Sequence, residues 1–253
     1  MKETFRVHPD FKSIAPEIQT AINSFETAGE FLVEEGRNQI KKIAIEGTYY
    51  TFKKFKTPNA FQRWVYQYFR KSKAKRSYEY AIRLIESGIK TPFPVAYQEC
   101  FDGGLRESFY ISRYVDYDLD FRVLNHNPNY PRRKEILAQF AAFTFELHEK
   151  EINFLDHSPG NTLILNKEDN TYDFYLIDLN RMRFEKMSLE KRMKNFRRLW
   201  LSKTMINIMA PVYAKLYGAT SEKIHELMTA YSRAFQKKGN AKKLRRRKRK
   251  RNG

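Results

Sequence analysis

Leu155-Asp156-His157-Ser158-Pro159-Gly160-Asn161 decides how this chain is read. The stretch spaces an aspartate and an asparagine as Asp-x-x-x-x-Asn, and its surroundings give that spacing weight. Upstream, residues 132–150 carry Ile136, Phe140, Phe143 and Leu147 on one helical face. Downstream, Thr162-Leu163-Ile164-Leu165 and Phe174-Tyr175-Leu176-Ile177 read as two short apolar strands around a polar turn at 166–170. Asp178 ends the second strand. Helix, loop, hairpin and terminal aspartate together bring Asp156, Asn161 and Asp178 to one place. Phosphoryl transfer needs such a set. One carboxylate orients and deprotonates an acceptor hydroxyl, while an amide oxygen and a second carboxylate hold Mg²⁺ against phosphates. The bare spacing is weak, because 9 Asp and 15 Asn in 253 residues give about half a match by chance. A second match, Asp120 with Asn125, precedes the long helix and has no hairpin and aspartate behind it.

Working outward, residues 1–28 read as a lead-in with a short helix from about Pro16. An antiparallel meander follows: Phe31 to Glu34, a turn at Gly36, Gln39 to Ile45, a turn at Glu46-Gly47, and Thr48 to Lys53. Strand alternation puts Lys53 and Phe55 on one face and Lys54 and Lys56 on the other. Thr57-Pro58 offers a helix start, and Phe61, Trp64, Val65 and Tyr68 share one face of that helix, read as core. A second helix carries Tyr78, Ala81, Ile82 and Ile85 and ends at Ser87-Gly88, before Pro92 and Pro94. The region after the hairpin is helical, with Ser188 as an N-cap and a last amphipathic helix through Ile224, Leu227, Met228, Tyr231 and Phe235. The expected architecture is α+β in two lobes: a sheet-rich lobe over 1–115, a mainly helical lobe over 116–236, and a disordered basic tail over 237–253.

Composition removes several alternatives. With 42% apolar and 15% aromatic residues the chain is not disordered as a whole. A single cysteine, Cys100, excludes an internal disulfide and a cysteine-based zinc site. The histidines form no metal-ligand pair at helical spacing, and no strand motif of the RNA-recognition type appears. No run of roughly 20 apolar residues could span a bilayer, and the N-terminus lacks an apolar signal core. The expectation is a cytoplasmic protein, peripheral at the inner face of the inner membrane.

Charge is strongly positive, 48 Lys+Arg against 29 Asp+Glu, a net +19. Nine Lys/Arg and no acid lie between Glu46 and Glu79, and eleven Lys/Arg lie in the last 17 residues. Such segments gain about 1 kcal/mol per cation beside an anionic bilayer. Nucleic acid would attract the same charges.

On these motifs the chain resembles the protein-kinase-like superfamily, with Tyr50-Thr51-Phe52-Lys53 in the place of Val-Ala-Ile-Lys. Leu155 to Asn161 looks like its catalytic loop and Ile177-Asp178-Leu179-Asn180 like its Asp-Phe-Gly segment. More narrowly it is similar to the bacterial lipopolysaccharide kinases, which phosphorylate Kdo or heptose of the inner core with ATP and Mg²⁺. The resemblance implies a two-lobed kinase-like fold. It makes Asp156 the catalytic base, Asn161 and Asp178 the metal ligands, Lys53 the phosphate lysine and Glu79 its partner, and it puts Gly36 over the nucleotide phosphates. The three-glycine loop is reduced here to Gly36, and Phe154-Leu155 replaces the usual His-Arg. Pro159-Gly160-Asn161 matches the small-molecule branch rather than protein kinases. The expected partners are a lipopolysaccharide core or lipid-linked sugar and an anionic membrane surface, not nucleic acid. Three other readings stay open: a kinase-like scaffold without catalysis, another small-molecule phosphotransferase, and a polyanion-binding protein acting through the tail.

Overall fold

The computed structural model describes residues 2–34 and 38–251. The chain divides into two compact units, one of residues 1–116 with 178–180, the other of residues 117–177 with 181–253.

The first unit is built on an antiparallel sheet. Its elements are β1 (Lys2–Val7), α1 (Ala15–Asn23), β2 (Glu30–Val33), β3 (Asn38–Ile45), β4 (Thr48–Phe55), α2 (Ala60–Tyr68), α3 (Lys73–Glu86), β5 (Pro94–Phe101) and β6 (Leu105–Arg113). The six strands run in the order β1-β5-β6-β4-β3-β2. The meander read from the sequence forms its β2-β3-β4 side. Ile45 pairs with Thr48 across Glu46 and Gly47, both at positive φ, so a two-residue turn of the primed type sets the register. Gly29 also sits at positive φ, and a Cβ there would lie 2.4 Å from the Lys42 carbonyl oxygen. Only glycine lets the chain pass over β3 at that point.

Alternation along β4 divides its side chains between two cores. Tyr50 and Phe52 join Ile43, Val95, Phe109 and Ile111 against Ile18, Ile22 and Phe25 from α1 and the segment after it. On the opposite face Phe55 packs with Ala74 and Tyr97. Lys53 therefore lies on the α3 face, as the alternation requires. Lys41 is almost fully buried on the α1 side, where its ammonium donates to the Glu26 and Ala28 carbonyls at 3.0 and 2.9 Å. A buried lysine is tolerable only when so satisfied.

Two sequence expectations need correction here. Helix α2 is capped by Asn59, not Thr57, with the Asn59 side chain accepting from Gln62 N. Its aromatic face is not core: Phe61 is 72% exposed, and Trp64, Tyr68 and the following Phe69 are also exposed. A 3.6-residue period shows that one face is apolar without saying what that face meets.

The second unit contains β7 (Leu119–Asp120), α4 (Phe121–His126), α5 (Arg133–Glu149), β8 (Ile152–Phe154), β9 (Thr162–Asn166), β10 (Tyr172–Leu176), β11 (Met182–Phe184), α6 (Leu189–Phe196), α7 (Lys203–Tyr217) and α8 (Ser221–Arg251). Strand β9 lies between β10 and β7, and β8 pairs with β11. The core runs from α4 and α5 through β9 and β10 to α6, α7 and the start of α8. Phe140 sits at its centre, with ring centroids 4.5 Å from Phe121 and 5.3 Å from Phe174.

The tail expectation also needs correction, since residues 237–251 continue α8 instead of forming a disordered segment. Ile224 and Met228 anchor the first turns of α8 in the core. Once nucleated, Lys, Arg, Ala and Leu propagate a helix at little cost. Gly239 faces Trp200 so closely that a Cβ would come within 2.8 Å of the indole, and Lys243 stacks over the same ring. Among the described residues no helix is long and apolar enough to cross a membrane.

Phe140→Ala leaves a cavity under the loop that carries Asp156 and is expected to cost about 3–5 kcal/mol. A urea titration followed by Trp200 fluorescence would show it as a lowered midpoint. An unchanged midpoint would deny Phe140 its central place.

Candidate active site

The loop after β8 is shaped by its own backbone. Leu155 N donates to Arg181 O at 3.0 Å, His157 N to Phe154 O at 3.2 Å, and Ser158 N to Asp156 O at 2.7 Å. The Asn161 side-chain amide returns to the same Asp156 carbonyl at 2.8 Å, closing the turn. Ile177 N then donates to Asn161 O at 3.0 Å. The sequence pair Asp156 and Asn161 is thus joined through the backbone of one and the side chain of the other.

The Asp156 carboxylate has two cationic neighbours that the sequence reading missed. Arg198 Nη2 donates to Oδ1 at 2.6 Å, and Arg181 Nη1 lies 3.6 Å from Oδ2, beyond hydrogen-bond reach. No local motif announces Arg198, which stands 42 residues downstream.

Beneath the loop, His157 is fully buried between Phe140 and Phe154. Asn195 spends its amide hydrogens on Asn153 Oδ1 and Phe154 O, so its Oδ1 is the acceptor 2.9 Å from His157 Nδ1. This network assigns the proton to Nδ1 and leaves Nε2 buried without a partner. Burial pushes His157 down to about 4, against an ordinary 6.5, and pushes His148 down to about 3. His148 holds the Tyr213 hydroxyl at 2.8 Å in the same core. His157 is therefore a neutral prop for the loop, out of reach of substrate.

In the sheet unit, Lys53 Nζ lies 2.8 Å from Asp178 Oδ1. The Asn180 amide donates to the same oxygen, and Arg76 Nη1 donates to the Asn180 carbonyl at 2.8 Å. Asp178 has φ +58°, in the left-handed region. The expected pairing of Glu79 with Lys53 does not form. Both Glu79 oxygens accept from Lys71 Nζ, at 2.9 and 2.8 Å. Lys71, just ahead of α3, neutralises Glu79 locally, and the Lys53 ammonium goes to Asp178, which has no other cation among the described residues. Gly36 lies outside the described residues.

A six-stranded antiparallel sheet with a lysine on its central strand, together with a helical unit carrying an Asp-x-x-x-x-Asn turn and a following hairpin, is the architecture of a protein-kinase-like phosphotransferase. The model of the lipopolysaccharide kinase (Kdo/WaaP) family matches residues 46–231, and the chain belongs to that family; it is an ATP-dependent phosphotransferase. A solved structure of WaaP in complex with acyl carrier protein is similar in fold, with 18% identity and a TM-score of 0.64 over 92% of this chain and 98% of that one. Comparison with curated proteins returned no match.

The two depressed histidines make stability depend on pH in a stated direction. The native state refuses protons that the unfolded chain accepts near pH 6.5, so stability is complete above that value and falls as pH drops toward 4. His157 alone accounts for roughly 3 kcal/mol of this loss. In denaturant titrations between pH 7 and 4, His157→Gln is expected to flatten the decline, leaving the part due to His148. Superimposable slopes for the two proteins would contradict the neutral assignment.

Proposed function

We propose that this chain transfers the γ-phosphoryl group of ATP to a hydroxyl of a lipopolysaccharide core sugar, Kdo or heptose, at an anionic membrane surface. The family match over residues 46–231 supports the reaction class. The observation that carries the residue assignment is the Asp156 carboxylate, with Oδ1 bonded to Arg198 and Oδ2 free of hydrogen bonds among the described residues. Oδ2 is the oxygen that accepts the acceptor's hydroxyl proton as that hydroxyl attacks phosphorus.

Asn161 and Asp178 have the donor chemistry for Mg²⁺, which takes oxygen ligands. The Asn161 amide nitrogen is spent on the Asp156 carbonyl, so its Oδ1 is the atom left for a ligand. Asp178 keeps Oδ2 without a hydrogen-bond partner among the described residues. Among the described residues no group of three or more His, Cys, Asp and Glu is placed to hold a metal ion. Two protein oxygens completed by phosphate and water is the usual way Mg²⁺ is held in kinases. The bound ion would neutralise charge on the phosphates. Lys53 holds Asp178 in place and offers its ammonium to the same phosphates, and Gly36 is assigned to cover them.

Membrane association is supported by α2. Phe61, Trp64, Tyr68 and Phe69 are exposed together, in a stretch with nine Lys/Arg and no acid between Glu46 and Glu79. Aromatic residues in so basic a stretch suit an interfacial helix, the rings entering the headgroup boundary and the cations meeting anionic lipid.

With the purified chain, labelled ATP and Mg²⁺, label is expected on a core sugar, and Asp156→Asn should lower kcat by about 10²–10⁴-fold. Retained activity in that variant would remove Asp156 from the base role. Phe61→Ser with Phe69→Ser is expected to weaken binding to phosphatidylglycerol vesicles more than about tenfold, since each ring contributes about 1.5–3 kcal/mol on burial. Turnover of a soluble acceptor should not change. Equal vesicle affinity in a flotation assay would exclude α2 as the membrane element.

A further inference from the structure

The helical unit has a cavity of about 200 Å³ whose wall is dominated by cations: Arg183 from β11, Lys191 and Lys194 from α6, and Arg197 and Arg198 from the turn after it. Asn153 and Asn195, the two asparagines that prop the Asp156 loop, also line it. Five cations around so small a space repel one another unless an anion is present.

The protein's own acids pair with only two of these cations, Lys191 and Arg198, among the described residues. Glu185 pairs with Lys191 at 2.9 Å and accepts from Asn153 at 2.9 Å. Those contacts, with the field of Lys191 and Arg183, hold its carboxyl below the usual carboxylate range. Asp156 accepts from Arg198. Arg183, Lys194 and Arg197 form no ion pair with any carboxylate among the described residues. Arg197 rests on the Phe235 ring, and Arg198 keeps its Nε buried with no acceptor. Fixed cations, an unused buried donor and two amide side chains are the recognition chemistry of a phosphate or carboxylate.

We propose that this cavity binds a phosphate substituent carried by the acceptor sugar. The volume supports a substituent rather than a whole saccharide, being smaller than the ~300–1,000 Å³ pockets that enclose larger ligands. Arg198 lines the cavity and also bonds Asp156, so an anion held there lies on the acceptor's side of the chemistry and positions the hydroxyl relative to Asp156. Acceptors without a charged group in the right place are bound weakly, and specificity is set by charge as well as sugar shape. The proposal rests on the kinase reading above.

The test uses the full chain and the double variant Arg183→Gln, Lys194→Gln, whose side chains are exposed and take no part in the chemistry assigned to Asp156. One arm measures transfer from ATP to core oligosaccharide before and after phosphatase treatment. The variant is expected to raise KM for the phosphorylated acceptor by about tenfold or more, with kcat and KM for ATP unchanged and no difference on the dephosphorylated acceptor. Equal losses on both acceptors, or no loss on either, would overturn the proposal. The second arm omits ATP and titrates glucose 6-phosphate by calorimetry. Wild-type binding that is lost in the variant supports the cavity even if no transfer is seen, which separates this proposal from the kinase reading. Inorganic phosphate binding as tightly as the sugar phosphate would mark a free-phosphate site and refute the acceptor assignment.

Discussion

The 2.8 Å hydrogen bond from the Asn161 amide to the Asp156 carbonyl is the contact on which the candidate site depends. It fixes the turn between the two residues. It also spends the amide nitrogen, leaving Asn161 with an oxygen for any further ligand. The turn would still sag if its underside were hydrated. His157 prevents that by filling the space between Phe140 and Phe154 and bonding Asn195, which in turn ties Asn153 and the Phe154 carbonyl to α6. A buried polar network of this kind rigidifies only when its members are paired. Burial, not the bond to Asn195, is what holds the imidazole beside Asp156 neutral and its pKa below the ordinary value.

Much of the fold was legible because the sequence keeps simple periods. Alternation along 48–55 gave β4 and the correct face for Lys53, and the Glu46-Gly47 turn gave the hairpin. Strands β1 and β5 were missed. Residues 94–99 of β5 are all buried, so the strand shows no alternation, and Pro92 and Pro94 read as helix terminators. The aromatic face of α2 was placed in the core because amphipathicity does not distinguish a protein interior from another apolar phase. At the candidate site, spacing and resemblance pointed to Asp156, Asn161, Lys53 and Asp178. They did not point to Arg198 and Asn195, because the link of these two to the loop is purely tertiary.

Position, more than net charge, decides what each cation does. Lys41, Lys53 and Lys54 lie on adjacent strands with the same side chain and three different environments. Lys41 is capped by two carbonyls inside the α1 core. Lys54, on the same side of the sheet, is held by Glu26 and Glu107 at 2.9 and 3.1 Å and is part of the scaffold. Lys53, one residue away on the opposite face, pairs with Asp178 and lies over the Phe55 ring. In the cavity lined by α6, Arg183, Lys194 and Arg197 have no ion pair of the kind that holds Lys54 among the described residues, and that is where an external anion is proposed to bind.

Asp178 shows how the sequence pays for an unusual backbone. A left-handed conformation costs a non-glycine residue roughly 1–2 kcal/mol, and it persists here because Asp178 Oδ1 is held from two directions. One donor is Lys53. The other is the side chain of Asn180, at the position where the superfamily pattern has glycine. Glycine there would offer no amide, and the carboxylate would rest on Lys53 alone. The Asn180 carbonyl is fixed in turn by the buried guanidinium of Arg76 on α3. The departure from the Asp-Phe-Gly pattern therefore adds a restraint on the carboxylate. It makes the aspartate's orientation depend on α3 through Arg76, a role that Glu79, turned aside to Lys71, does not fill.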